Sequence, residues 1–273
     1  MNPKIYEIFL KNCIFVSYSP NARGHIFTRI ILSHEEDFYW NNAFNIWSQW
    51  DNLCKKPLDW PDNSKNNDLW TSIENTIVNA YTTIPFTVAP FFGKNSLQNI
   101  GDKEAIKNSF IKRVNKPLLL SFLKSNKKFV IPTHISVDRL IKDYPTNSII
   151  NLWANYEILI KEDRFHRFSS KSQKNYEKIE SYWKPLDHVN VFNVPKDKFF
   201  SKNYDEFEDE YNKIIDKFNI RYPRYNKIRA FMLRYLERNK YYDKIDKETF
   251  DKYKFFSTQE VEGRKFSNWA KND

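Results

Sequence analysis

The segment "CIFVSYSPNARGHIFTRIIL", Cys13 to Leu32, constrains the fold more than any other part of the chain. Cys13 to Tyr18 form a compact run of apolar and hydroxyl residues. A polar turn follows, and apolar positions then return with helical spacing. The pattern is strand, turn, helix, and it recurs. "KFVIPTH" reads as a short buried strand ending at Thr133-His134, after which Val137, Leu140, Ile141 and Tyr144 mark one helical face. "SIINLWA" (148–154) and "HVNVFNV" (188–194) read as a third and a fourth strand. Phe207, Tyr211, Ile214, Ile215 and Phe218 form one helical stripe, and Tyr225, Ile228, Met232, Tyr235 and Leu236 the next. Strands that alternate with helices imply an α/β fold, a mostly parallel sheet flanked by helices. In such sheets ligands gather beyond the carboxyl ends of the strands. That edge carries Ser19–Gly24, Thr133-His134 and Ala154-Asn155.

A length of 273 residues without repeats or a low-complexity linker is read as one domain, 1–273. Within it, a tryptophan-rich helical and loop insertion is expected at about 38–116, with Trp40, Trp47, Trp50, Trp60 and Trp70. Helices are expected around Thr71–Tyr81 and Lys103–Val114, and the segment between, with Pro85, Pro90 and Gly93, should be irregular. No apolar run is long enough to span a membrane, and the N-terminus lacks a secretory pattern. Two cysteines, Cys13 and Cys54, are too few for a disulfide framework or a zinc site, so no metal is expected. A reducing, cytoplasmic location is the default, host cytoplasm or virion for a viral protein.

A net charge of +10 invites a polyanionic partner. The chain also holds 30 asparagines against 8 alanines, the bias of an AT-rich coding sequence, as in some viruses or small-genome bacteria. That bias accounts for much of the lysine, so nucleic acid is not the expected partner. The run Lys171 to Lys184, with interleaved tyrosines, reads either as a nucleic-acid-stacking surface or as a solvated helix.

The turn after the first strand has two readings. A strand-to-helix turn presents backbone N–H groups and the positive end of a helix dipole, Gly24 allows close approach, and Arg23 adds a forked cation. It is equally an ordinary βα turn with a solvent-facing arginine. It matches neither common phosphate-binding glycine motif.

This loop together with "KFVIPTHISVDRLIKDYPTNSIINLWAN" resembles the sulfotransferase family, which transfers a sulfuryl group from 3′-phosphoadenosine 5′-phosphosulfate. The resemblance is strongest over Cys13–Leu32 and Lys128–Asn155 and continues weakly through residues 189–220. It implies a P-loop-like α/β fold in which Ser19, Asn21, Ala22, Arg23, Gly24 and His25 wrap the donor's phosphosulfate. It implies Thr133-His134 as the strand end that carries the catalytic base, His134, with Arg23 assisting and Asn155 beside the nucleotide. The chain departs from the family pattern at several places. The loop lysine is absent, with Asn21 and Arg23 the nearest polar substitutes, and His25 and Ile26 stand where hydroxyl residues are usual, with Thr28 one turn onward. The arginine expected after the third strand falls on Ala154, and no serine follows at the family's spacing. Arg164 or Arg167 is a candidate for the 3′-phosphate contact, and "EGRKFSNW" is faintly similar to a basic C-terminal nucleotide-binding segment.

In that chemistry the donor's oxyanions are neutralised and the acceptor hydroxyl is deprotonated in line. His134 suits the second task, and its alternative role is a hydrogen-bonded strand-end histidine. His25 is the weaker base candidate, and His166, in "EDRFHRF", reads as part of a solvated helix. The tryptophans are read as core packing or as the lining of an acceptor pocket for a small molecule or glycan. The expected function is sulfuryl transfer to a hydroxyl or amine. The alternative is a catalytically degenerate protein of the same fold with a structural or interaction role, with protein assembly partners, such as a virion component.

Overall fold

Four parallel strands carry the described part of the chain, in the order β2-β1-β3-β4. They are β1 (Cys13–Tyr18), β2 (Phe129–Thr133), β3 (Ser148–Trp153) and β4 (Val191–Pro195). The computed structural model describes residues 3–19, 22–34, 36–39, 104, 107, 108, 116–155, 179–229 and 232. The chain divides into two compact units, one made of Met1–Asn41 and Thr76–Asp197, the other of Asn42–Asn75 and Lys198–Asp273.

The sheet belongs to the first unit. All six residues of β1 and all five of β2 are buried, which is why these strands read as continuous apolar runs rather than alternating ones. Register is fixed by Ser17 opposite Thr133 on one side and Tyr18 opposite Leu152 on the other. The helices α1 (Pro3–Lys11), α2 (Gly24–Leu32), α3 (Lys116–Lys124) and α4 (Val137–Asp143) cover it. Pro3 suits the first turn of α1, where its missing N–H costs nothing. Phe9, Phe122 and Phe129 meet edge-on or tilted, with centroids 5.8 Å and 6.2 Å apart for the pairs that include Phe122. They join α1 and α3 to β2. At the amino ends of the central strands, the buried Asn147 amide donates to Leu10 O (2.6 Å) and Cys13 O (3.0 Å), so the start of β3 is tied to the start of β1. Burial pushes the Cys13 thiol well above its ordinary pKa, so it stays protonated and behaves as a small core residue.

A strap of residues 180–186 runs beside β3 and β4. It opens with a 3₁₀ turn, Glu180–Tyr182. The Asn193 side chain holds it like a strand partner, accepting from Leu186 N–H and donating to Leu186 O, both at 2.9 Å. Asn151, opposite Asn193 in the register, donates to Lys184 O at 3.2 Å.

A short helix, α5 (Lys196–Phe199), follows β4. In the second unit α6 (Tyr204–Phe218) is capped by Asn203, whose side chain accepts from Asp205 N–H at 3.0 Å, and ends at Asn219 in the left-handed region. Phe207, Tyr211 and Ile214 of the expected stripe are buried, while Ile215 and Phe218 are half-buried. The Arg229 guanidinium lies 5.4 Å from the Phe207 ring and donates to Ser201 O and Lys202 O.

The α/β class and the parallel sheet expected from the sequence are present, and no helix among the described residues is long and apolar enough to cross a membrane. Most of the tryptophan-rich insertion at 38–116 lies outside the described residues, with all five of its tryptophans and the helix expected at Thr71–Tyr81. So do Arg164, His166, Arg167, most of Lys171–Lys184, Tyr235, Leu236 and the C-terminal "EGRKFSNW".

Candidate functional site

The strand order places β2 and β3 on either side of β1, so the chain reverses its direction of sheet growth at β1 and β3. In open α/β sheets this is where a crevice forms beyond the strand ends. The residues there are Tyr18 to Gly24 from β1, Thr133-His134 from β2, Ala154-Asn155 from β3 and Lys196-Asp197 from β4.

Leaving β1, the chain makes a tight turn closed by Ala22 N–H to Ser19 O at 3.1 Å. Ser19 and Ala22 are fully buried, and the Ser19 hydroxyl has no hydrogen-bond partner among the described residues. Arg23 adopts φ 61°, a left-handed conformation that a residue with a Cβ adopts at a cost of about 1–2 kcal/mol. Its carbonyl accepts Phe27 N–H at 2.9 Å and so starts the helical ladder. Arg23 is 6% exposed. It is therefore not the solvent-facing arginine of an ordinary turn. Gly24 is the first residue of α2. A Cβ there would lie 2.2 Å from Tyr18 Cγ and Cδ1, so its missing side chain is what lets the Tyr18 ring fold over the helix start. Thr28 Oγ donates to Gly24 O at 2.7 Å, spending its hydroxyl on the helix itself. Asn21 lies outside the described residues. His25 stands in the first turn of α2, and its side chain lies outside them too.

His134 follows β2 directly. Its ring lies 4.5 Å from the Tyr18 ring, and Nδ1 is 3.0 Å from Tyr18 O. A carbonyl only accepts, so Nδ1 carries the hydrogen and donates it, and Nε2 of the neutral ring keeps its lone pair. Burial holds the imidazole below the ordinary histidine pKa of 6.5, and the hydrogen bond to Tyr18 O pulls weakly the other way. The ring is thus neutral at physiological pH. Two hydrogen bonds fix the turn that carries it: Ser17 Oγ donates to Ile135 O (2.7 Å), and Ile135 N–H to Thr133 Oγ1 (3.1 Å).

Beyond β3, Ala154 is fully buried and donates its N–H to Tyr182 O at 3.0 Å. Its methyl group has nothing to offer a ligand. Asn155 is exposed, and its N–H is held by Asp197 Oδ2 at 3.1 Å. Asp197 Oδ1 is 3.5 Å from the fully buried Lys196 ammonium. The Asn155–Asp197 bond ties the end of β3 to the end of β4.

The fold therefore gathers Ser19, Ala22, Arg23 and Gly24 into one loop and sets His134 against the residue that precedes it. Asn155 stands across β1 from His134. Sequence reasoning passed over Tyr18, Tyr182 and Asp197. Tyr182 stands inside the charged run Lys171–Lys184, where no periodicity sets it apart, and the Tyr18–Gly24 pairing had one signal, a glycine six residues after the strand's last aromatic. Among the described residues, no cluster of three or more His, Cys, Asp or Glu is placed to hold a metal.

A buried arginine, a buried serine hydroxyl and a helix N-terminus suit an anion; a neutral histidine with an open Nε2 suits proton abstraction. Compared with known proteins, the chain matches no family model, no curated protein and no solved structure.

Proposed function

We propose that this α/β chain is a sulfotransferase-like protein that moves a sulfuryl group from 3′-phosphoadenosine 5′-phosphosulfate to a hydroxyl or amine of a small-molecule or glycan acceptor. The observation that carries the reading is the tautomer of His134. Its Nδ1–H is committed to Tyr18 O, which leaves Nε2 as a base beside the loop that begins α2. The bound nucleotide supplies an activated sulfuryl group. His134 Nε2 takes the acceptor's proton as the acceptor oxygen or nitrogen bonds to sulfur and the sulfur–oxygen bond to the donor phosphate breaks. Arg23 and the first N–H groups of α2 balance the donor's charge. This reading extends the parallel sheet to a P-loop-like sulfotransferase fold.

The test is a calorimetric titration with 3′-phosphoadenosine 5′-phosphate at low salt, where attraction of an anion is greatest. Saturable heat is the expected result. Its absence at millimolar nucleotide sinks the transferase reading.

The buried Ala154 and the Tyr18 ring over Gly24 favour a second reading. In it the protein keeps the α/β scaffold, has lost donor binding, and serves as an interaction component of an assembly, such as a virion. The same null titration is its expected result.

A further inference from the structure

Tyr182 is buried and reaches two strand ends at once. Its carbonyl accepts Ala154 N–H at the end of β3, and its hydroxyl donates to the backbone carbonyl of His134 at the end of β2. The strand between these two is β1. The tyrosine therefore spans the exit of β1, the point from which the Ser19–Gly24 loop departs. Its own backbone is held by Tyr182 N–H to Ile179 O at 3.1 Å, and the strap that follows is fastened to Asn151 and Asn193.

From this geometry we propose that Tyr182 is a positioning residue for His134: its hydroxyl holds the His134 peptide so that the ring lies on Tyr18 with Nδ1 at the Tyr18 carbonyl and Nε2 open. The inference rests on the proposed role of His134 as base, but it concerns the placement of that ring and has a readout of its own. Three contacts define where the imidazole sits. Tyr18 O takes its Nδ1–H, the Tyr18 ring covers one side, and Tyr182 fixes the peptide behind it. The first two come from β1 and act on the ring. Only the third acts on the backbone, and it comes from a strap distant in sequence. Ser17 and Thr133 also hold this turn, but their bonds serve the Ile135 peptide rather than that of His134. No charged side chain among the described residues contributes to the shift of the His134 ring, which comes from burial and from the Tyr18 carbonyl. The ring's titration thus reports how well it is seated.

The experiment compares wild type with Tyr182→Phe, which keeps the ring and removes only the hydroxyl. The His134 imidazole is followed by NMR across the acid-to-neutral range, with the backbone amide spectrum as the control for folding. In the wild type His134 should titrate below the ordinary range, with Nδ1 protonated in the neutral form. In Tyr182→Phe the pKa should rise toward that of a solvated histidine and the tautomers should mix, while the amide spectrum of the folded unit stays as it was. Transfer, where measurable, should fall at least tenfold with nucleotide affinity unchanged. A folded Tyr182→Phe protein whose His134 titrates and tautomerises as in the wild type overturns the proposal. So does a Tyr182→Phe protein that cannot fold, because the hydroxyl would then be holding the unit together rather than one residue. Loss of nucleotide binding in the wild type would instead sink the transferase reading and leave the positioning of His134 to be read from the NMR titration alone.

Discussion

The Tyr18 ring and the Cα of Gly24 share one space: a Cβ added to the glycine would lie within 2.4 Å of three ring carbons. The glycine that begins α2 is thus required by a neighbour in its own loop. Gly24→Ala should destabilise the protein by about 1–3 kcal/mol, the usual cost of forcing extra volume into a packed site. Tyr18→Ala makes room, so Gly24→Ala in that background should cost little, and the pair should be non-additive by about 0.5–3 kcal/mol in denaturant titrations. Additive effects would show that the ring and the glycine do not meet.

Arg23 combines a buried guanidinium with a left-handed backbone, and two substitutions separate the parts. Arg23→Ala removes the charge and keeps a Cβ at positive φ; Arg23→Gly removes both. The glycine variant should be the more stable of the two by about 1–2 kcal/mol. Both should weaken 3′-phosphoadenosine 5′-phosphate alike, by about 1.5–3 kcal/mol, the range for hydrogen bonds to charged groups. Equal stability of the two variants would contradict the backbone geometry, and unchanged affinity would remove Arg23 from the donor site.

His134→Ala should lower sulfuryl transfer by ~10²–10⁴-fold, the range for loss of a general base. Nucleotide affinity should change little, because the donor's charge is assigned to Arg23 and the first N–H groups of α2 rather than to the neutral imidazole. The measurement is single-turnover transfer beside calorimetric binding. A folded His134→Ala protein with full activity would remove the base assignment.

The same ring makes stability depend on pH, with a definite sign. Burial lowers the His134 pKa in the folded protein, so between that value and about 6.5 the unfolded chain binds more protons. The ring's contribution is fully present above the ordinary histidine range and is lost as pH falls from there through the folded value. Relative to His134→Gln, the wild type should therefore lose stability on acidification from neutral pH. Urea midpoints for the two proteins at a series of pH values check this. Parallel curves would mean that the ring is as solvated in the native state as in the unfolded one.

Much of the architecture was legible because buried parallel strands and one-faced helices write different patterns. β1 and β3 end within a residue of the apolar runs that announced them, and β2 and β4 differ by one to three residues at their ends. Expected from the start, the Val137–Tyr144 face buries Val137, Leu140 and Tyr144, with Ile141 at its margin. Less legible were α1 and α3, which no strand-and-turn pattern announces and which meet at β2 through the Phe9–Phe122–Phe129 cluster, contacts distant in sequence. At the site, His134 and the Ser19–Gly24 loop could be placed at one sheet edge because strand ends are local. The contacts that define them are not. Tyr182 meets His134 across 48 residues and Asn155 meets Asp197 across 42, and neither separation leaves a mark in composition or period.

β2 and β4 flank the described sheet, and each carries a proline near its carboxyl end, Pro132 and Pro195. A proline has no N–H to offer, so neither strand presents an unbroken row of donors to another chain. The interruption falls at the end of the sheet where the loops diverge. Along the described sheet, a strand laid against β2 or β4 would therefore find no donor at Pro132 or Pro195, and pairing there would break before it reached the loops that carry Arg23 and His134.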